Sequence, residues 1–495
     1  MGFLFLSLSF GKLIGLATAL GLVYVAVNAI YNIFFHPLRN HPGPIFWRIS
    51  RIPYCYRLIN GTLPFYMLNL HEKYGEVVRI APNELAFSNV QAWKDIHGHR
   101  AQGQPVLEKW ESFYRPVASE PTDIVNTCDR EEHTSLRRQL AHGFSDRSMR
   151  EQEPIIKNYL DLLISRLYEQ GQGGAKPVNL AAWYNFTTFD VIGDLAFGES
   201  FGCLDNSDYH PWVKAIFQMG RVGTVVQTGG HYPFIKKLMF AMVPEKAKRE
   251  RESHMEFTKA KLQRRLDIGQ ERPDLIQGLI NKNPQFENLQ ANASTLIMAG
   301  SETTATLLSG VTYFLLTNRD CLEKLTNEVR SAFKSEDDIN FESVIKLPYL
   351  LACLNEALRL YPPVPTGLPR VVPSGGVSIA GHYIPENTVV AIHQWAINHN
   401  KTHFKDAHSF RPQRWLYDPE FSTDHLEAMQ PFHTGPRNCI GRNLAYNEMR
   451  TIIARLVWNF DIAIADESRS WLEEQKIYFF WEKGPLSTYL KPVQR

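Results

Sequence analysis

The stretch Phe432-His433-Thr434-Gly435-Pro436-Arg437-Asn438-Cys439-Ile440-Gly441 places two glycines and a proline around one cysteine, just before a strong helical pattern at Arg442–Asn459. A tight loop entering a helix turns backbone N–H groups and the positive end of the helix dipole toward the sulfur, and Arg437 adds a charge nearby. Such a thiolate can act as a metal ligand or as a nucleophile. The other cysteines (Cys55, Cys128, Cys203, Cys321 and Cys353) are scattered, with no Cys-x-x-Cys pair. That excludes a zinc cage and a disulfide framework, and it points to a reducing compartment.

Two further constellations carry chemistry. In Ala299-Gly300-Ser301-Glu302-Thr303-Thr304 a glycine and several hydroxyls interrupt a long apolar helical pattern, where they are poor helix formers. Ala299 and Thr303 stand four apart on one face, so the Thr303 hydroxyl can bond the Ala299 carbonyl and open a local groove for a small polar molecule. Glu356 and Arg359 stand three apart among Leu347, Leu350, Leu351, Leu354, Leu358 and Leu360. Little polar surface remains there, so both charges are expected to be buried and to need partners. Arg414, in Phe410-Arg411-Pro412-Gln413-Arg414-Trp415, is available as a third member. His97, His99, His393, His399, His403 and His408 show no coherent ligand spacing and read as structural or exposed.

The pattern FxxGxRxCxG, met by Phe432, Gly435, Arg437, Cys439 and Gly441, resembles the heme-binding signature of the cytochrome P-450 superfamily. The resemblance extends to an AGx(D/E)T motif, an ExxR pair and a PxRx segment, and so covers essentially the whole chain. It implies the P-450 fold, heme b as cofactor and Cys439 as axial thiolate ligand of the iron. Glu302 and Thr303 become the acid–alcohol pair that delivers protons, and Glu356, Arg359 and Arg414 a structural ion network. The heme carboxylates would be met by Arg437, Arg370 and Arg137. His133 stands where the family often has an aromatic donor, and His433 where a small residue is common. Both are departures from the pattern. Leu70-His71-Glu72-Lys73-Tyr74-Gly75 and the segment from Phe144-Ser145-Asp146 to Pro154 look most like filamentous-fungal members that decorate terpenoids and polyketides.

The implied activity is that of a monooxygenase, RH + O2 + NADPH + H+ giving ROH + water + NADP+. No flavin or nucleotide fingerprint occurs, so electrons are expected from a separate NADPH–cytochrome P-450 reductase, with Arg138 and Arg442 on the docking face. A heme-thiolate isomerase or dehydratase is the rival reading, and retention of Glu302 and Thr303 argues against it. Desaturation uses the same machinery as hydroxylation. A non-catalytic heme protein would have no need of the acid–alcohol pair.

The elements that must position these residues are mainly helical, with a small β region. Helical patterns run over Gln152–Leu167, Lys246–Leu266, Phe286–Leu316, Asp320–Phe333, Leu347–Leu360 and Arg442–Asn459. Strand signals occur at Val77–Ile80, Leu85–Phe87, Val377–Ile379 and Thr388–His393. The run Leu13–Phe35 carries no charge and would span about 34 Å as a helix, enough for a bilayer core of about 30 Å. Arginines downstream favour the cytosolic side. The expected organisation is a membrane anchor at 1–35, a proline-rich hinge at 36–47 and a catalytic domain at 48–495, single-pass in the endoplasmic reticulum membrane. Lys+Arg 53 against Asp+Glu 51 leaves a net charge of +2, which provides no global field for nucleic acid. Pocket walls are expected at Ala101–Asn126, Asn292–Glu302, Pro365–Pro369 and Phe479–Gly484, apolar to mixed, and suited to a lipophilic small molecule.

Overall fold

Apolar side chains recurring at helical spacing account for most of the architecture. The computed structural model describes residues 10–101, 103–115, 121–241, 243, 245–282 and 284–494. Residues 102 and 116–120 of the expected pocket wall Ala101–Asn126 lie outside the described residues, as do residues 1–9 of the expected anchor. The helices that bear on the site are α1 (Phe10–Ile30), α2 (Val90–His97), α3 (Arg130–Ala141), α4 (Asp146–Gly171), α5 (Leu180–Phe197), α6 (Pro211–Gly230), α7 (Glu245–Asp267), α8 (Phe286–Thr317), α9 (Arg319–Ala332), α10 (Pro348–Leu360) and α11 (Arg442–Asn459). Helix α1 continues as a π-helical turn, Tyr31–Phe35, and Lys12–Phe35 is mostly exposed and apolar enough to cross a membrane, with Asn32 at its end bonding Ile49 O at 3.0 Å.

Helix α8 forms the central rod, about 48 Å long at ~1.5 Å per residue. Its hydroxyls do not break it, because they bond back into the helix: Ser301 Oγ to Ile297 O, Thr303 Oγ1 to Ala299 O and Ser309 Oγ to Ala305 O, at 2.8, 2.6 and 2.8 Å. Gly300 has a packing reason. A Cβ there would lie 2.8 Å from Ile192 Cδ1, so the glycine lets α5 approach the face next to the Ala299–Thr303 groove.

Five short strands, β1 (Val77–Ala81), β2 (Glu84–Phe87), β3 (Glu108–Lys109), β4 (Arg370–Val371) and β5 (Val389–Ile392), form one sheet in the order β1-β2-β5-β4-β3. The strand expected at Thr388–His393 is β5. It pairs parallel to β2 and antiparallel to β4, whereas Val377–Ile379 pairs with His382–Ile384. The local turn therefore closes a small hairpin, and the large sheet is built from segments distant in sequence.

The charges of α10 are fully buried. Glu356 accepts five hydrogen bonds: from Arg359 Nε and Nη2 at 3.0 and 2.7 Å, Arg414 Nε at 3.1 Å, the Arg411 amide at 3.0 Å and Trp415 Nε1 at 2.9 Å. Burial alone would push its carboxyl up, but Arg359 and Arg414 outweigh that and hold it below the ordinary value. Arg359 also donates to the carbonyls of Asn398, Ala407 and Ser409, and Arg414 pairs with Asp424. Removing the carboxylate leaves the buried Arg359 guanidinium without a counter-charge and Arg414 with Asp424 alone, at a cost of about 3–5 kcal/mol. Glu356→Ala protein is expected to lose its cooperative thermal transition and to fail to retain heme during purification. A variant that melted and held heme like the parent would overturn this assignment.

Candidate active site

The cysteine loop is closed by a bond from the Cys439 amide to Phe432 O at 2.8 Å, and α11 begins with the Ala445 amide on Gly441 O at 2.9 Å. Gly435 has φ +75°, and a Cβ there would lie 1.8 Å from His97 O, so only glycine fits between the loop and the end of α2. His433 also lies in the left-handed region, at φ +56°. Its ring packs edge-on against Trp93 and His97, with centroids 5.0 and 4.9 Å apart. That contact gives the unusual histidine a packing role.

Cys439 has accessible surface, yet protein surrounds it closely enough that burial pushes its thiol up. The Gly441 backbone bond and the charges of Arg137 and Arg442 oppose that push without overcoming it. The accessible surface is therefore internal. Either role of the sulfur, as nucleophile or as metal ligand, needs the thiolate, so a partner that takes the place of the proton is required here. Among the described residues no group of three or more His, Cys, Asp or Glu could hold a metal ion. The arrangement suits a metal whose other ligands come from a prosthetic group.

Beside this loop the interior holds unmatched positive charge. Lys109 on β3 and Arg370 on β4 are direct cross-strand partners, and both are buried. Like charges in that relation destabilise a sheet unless an anion joins them. Burial, then Arg437 and Arg370, push the Lys109 ammonium down to about 7. Lys109 donates to Val125 O at 2.5 Å, and Arg437 to the carbonyls of Thr127, Cys128 and Asp129 ahead of α3. Arg137 grips the loop itself, at 2.6 Å to Asn438 O and 2.5 Å to Asn438 Oδ1. Among the described residues none of these four cations makes an ion pair, and Arg370 Nη1 and Tyr114 Oη are buried without partners. Two carboxylates next to a sulfur ligand are what the cluster lacks, so the residues present fit a heme. His133 is buried among the same cations and held down to about 3, hence neutral. Lys109 and Tyr114 carry no motif and were not legible in the sequence. Only the pairing of β3 with β4 brings them here.

On α8, Ala299 is exposed and Thr303 half-buried, between buried neighbours. The sequence reading coupled Glu302 to Thr303, but the structure turns their side chains apart. Thr303 bonds Ala299 O, whereas Glu302 pairs with Lys483 and accepts from Thr306 Oγ1 at 3.2 Å. Lys483 was not anticipated either. A second buried acid, Glu448 of α11, bonds Thr304 and is pushed up to about 8 by burial.

The model of the family "Cytochrome P450" matches residues 37–488. The cytochrome P450 monooxygenase prhB of Penicillium brasilianum is 45% identical over 488 residues, covering 98% of this chain and 98% of the relative. The trichothecene C-15 hydroxylase of Fusarium sporotrichioides is 46% identical over 492 residues, covering 98% and 99%. The cytochrome P450 monooxygenase tpeC of Talaromyces stipitatus is 47% identical over 485 residues, covering 97% and 95%.

Glu448 yields a signed prediction. Its carboxyl is neutral in the fold up to about pH 8 but ionises near 4.5 when unfolded, so between those values the folded state binds the extra proton. Its contribution to stability is complete below pH 4.5 and is lost as the pH rises to about 8. Glu448→Gln is expected to flatten the fall of Tm across that window and to leave it unchanged below pH 4.5. Parallel Tm–pH curves for parent and variant would refute the burial argument.

Proposed function

The chain belongs to the cytochrome P450 family, monooxygenases that bind heme b through a cysteine thiolate, and from that premise we propose that Cys439 is the ligand and that the enzyme inserts oxygen into a lipophilic intermediate of fungal secondary metabolism. Heme, when bound, supplies a redox-active iron that activates dioxygen, and a thiolate ligand favours O–O cleavage. The observation that most supports this assignment is the buried pair Lys109 and Arg370, joined by half-buried Arg437 and Arg137, with no ion pair among the described residues beside the cysteine loop. Lys109, Arg370, Arg437 and Arg137 would hold the two heme carboxylates, with the Tyr114 hydroxyl as a neutral donor.

On α8, Thr303 donates its proton to Ala299 O, so its oxygen is left to accept from a water in the groove. Glu302 is the acid that replenishes that water. The substrate lies against Ala299 and Met298 of α8 and an aromatic wall in which Phe113 faces Phe479, centroids 6.5 Å apart. A relative named as a trichothecene hydroxylase supports hydroxylation of a terpenoid or polyketide skeleton.

The segment 1–35 anchors the protein in the endoplasmic reticulum membrane, with the body cytosolic. Exposed Phe46, Ile52 and Tyr56 just after the anchor, with Val222 of α6 and Leu238, support a face resting on the lipid surface. Arg138 and Arg442, exposed on α3 and α11 near the cysteine loop, favour docking of an acidic NADPH–cytochrome P450 reductase.

The microsomal protein, reduced with dithionite and exposed to carbon monoxide, is expected to show the red-shifted Soret band of thiolate ligation, and Cys439→Ala to lose it. A folded parent protein without that band would end the assignment. With reductase and NADPH, Thr303→Ala and Glu302→Gln are expected to form product about 10²-fold more slowly while releasing more peroxide. Unchanged coupling in both would remove the acid–alcohol pair from the mechanism.

A further inference from the structure

The chain has no aspartate or glutamate before Glu72, yet four arginines, Arg39, Arg48, Arg51 and Arg57, stand between the apolar N-terminal segment and that residue. In a protein of net charge +2 this is a local excess of positive charge. Arg51 is compensated, because it pairs with Glu84 and donates to Asn83 Oδ1 at 3.1 Å. Arg57 lies over the ring of Tyr66, 4.3 Å from its centroid. Arg39 and Arg48 make no ion pair among the described residues, and the fold brings a third such cation to them, Arg79 of β1.

The three meet at the end of the membrane segment. Arg79 is fully buried, with Nη1 donating to Asn32 O at 2.8 Å and Nε and Nη2 to Pro82 O at 3.0 and 2.6 Å. Arg48, in the short helix Ile45–Ile49, directs Nη2 to Arg39 O at 2.8 Å and to Ile33 O at 3.5 Å, while its Nε is buried without a partner. Burial, and then Arg48, lower the proton affinity of Arg79 to about 10. Burial and Arg79 hold nearby His36 down to about 4, so it is neutral. The Arg79 amide donates to Pro42 O at 2.7 Å, and a Cβ on Gly43 would lie 2.3 Å from Arg79 O. The proline-rich segment therefore lies against β1, and both guanidinium groups are fixed at carbonyls in the last turn of the anchor.

Carbonyls at a helix C-terminus carry about half an elementary charge. That does not balance Arg48 and Arg79, with Arg39 exposed beside them. A phosphate does, since it is anionic and arginine forks match its oxygens. The surroundings decide its source. Phe34 and Phe35 follow the two carbonyls in the chain, Ile45 and Phe46 share the helix of Arg48, and all four side chains are exposed. They adjoin the end of a span long and apolar enough to cross a bilayer. Cations flanked by apolar side chains at that point meet the boundary between headgroups and acyl chains, whereas a free phosphate has no use for the apolar side chains.

We propose that Arg39, Arg48 and Arg79 form a site for the phosphate of an anionic phospholipid in the cytosolic leaflet. Arg39 and Arg48 bind the phosphate oxygens, and buried Arg79 supplies charge from behind. The inference rests on the membrane anchoring proposed above. A zwitterionic lipid is neutral overall and relieves none of the excess, so the site selects phosphatidylserine over phosphatidylcholine.

Native mass spectrometry of the full-length, heme-loaded protein, released from detergent containing equal amounts of the two lipids, reads which lipid is kept. The parent is expected to retain one phosphatidylserine. Retention is expected to fall roughly five-fold in Arg39→Gln and further in Arg39→Gln combined with Arg48→Gln, at unchanged heme content, and to keep the parent value in Arg57→Gln. Arg48→Gln also removes bonds to the anchor's carbonyls, so Arg39→Gln alone is decisive if the double variant fails to fold. Equal retention of both lipids by the parent, or parent-like retention in Arg39→Gln, overturns the inference. So does an equal loss in Arg57→Gln, which indicates a diffuse field in place of a site. Displacement of the lipid by inorganic phosphate at matched concentration makes the ligand a free phosphate and overturns the lipid assignment. Carbonate extraction of microsomes separates the two readings. Protein that washes off ends the anchor reading and this inference with it, whereas protein that stays in the membrane without selecting phosphatidylserine ends the inference alone.

Discussion

Glu356 is the point on which the remaining geometry depends. Five donors converge on one carboxylate that has no contact with water, and three of them belong to side chains or backbone outside its own helix. The network joins α10 to the segment that leads into the cysteine loop. From Arg414 onward that segment is held at intervals: Asp424 by Arg414, Ala428 O by Trp93 Nε1, and Gln430 O by Gln394 Nε2. Tyr446 Oη, donating to Asn355 Oδ1 at 2.9 Å, ties α11 back to α10. A buried ion network adds little net stability against an apolar alternative. Its value here is directional, because guanidinium forks accept only a narrow set of carboxylate positions.

The opposite arrangement exists a short distance away. Lys109, Arg370, Arg437 and Arg137 gather with no carboxylate among the described residues to match them, and the sheet places two of them directly opposite each other. Such a cluster opposes folding, and an anion bound to it would stabilise the folded state. Burial first, and then the neighbouring Arg437 and Arg370, lower the proton affinity of Lys109 to about 7.

Helix α8 separates two environments because adjacent residues on a helix point about 100° apart. Thr303 faces the groove at Ala299, while Glu302 faces Lys483. Gly300 does not create the groove. It lets Ile192 of α5 close the neighbouring face, which leaves the groove defined by Ala299 and the Thr303 hydroxyl.

The amino-acid sequence by itself determined the long helices α4, α7, α8, α9, α10 and α11 but not α5 and α6, together with the apolar N-terminal segment, the cysteine loop and the identity of Glu356, Arg359 and Arg414 as a group, because each depends on local periodicity, backbone freedom or the chemistry of a short motif. Only the tertiary structure decided the rest. Lys109 and Tyr114 reach the cation cluster through the pairing of β3 with β4, strands too short to carry a pattern. Lys483 reaches Glu302 from the far end of the chain, and Glu302 and Thr303, adjacent in the motif, bond to different partners from faces of the helix about 100° apart. Trp93 and His97 found His433 because Gly435 admits the end of α2. The division follows from the range of the forces. Helix formation and loop geometry are settled within a few residues, whereas compensation of a buried charge depends on whichever distant segment the packing brings within a few ångströms.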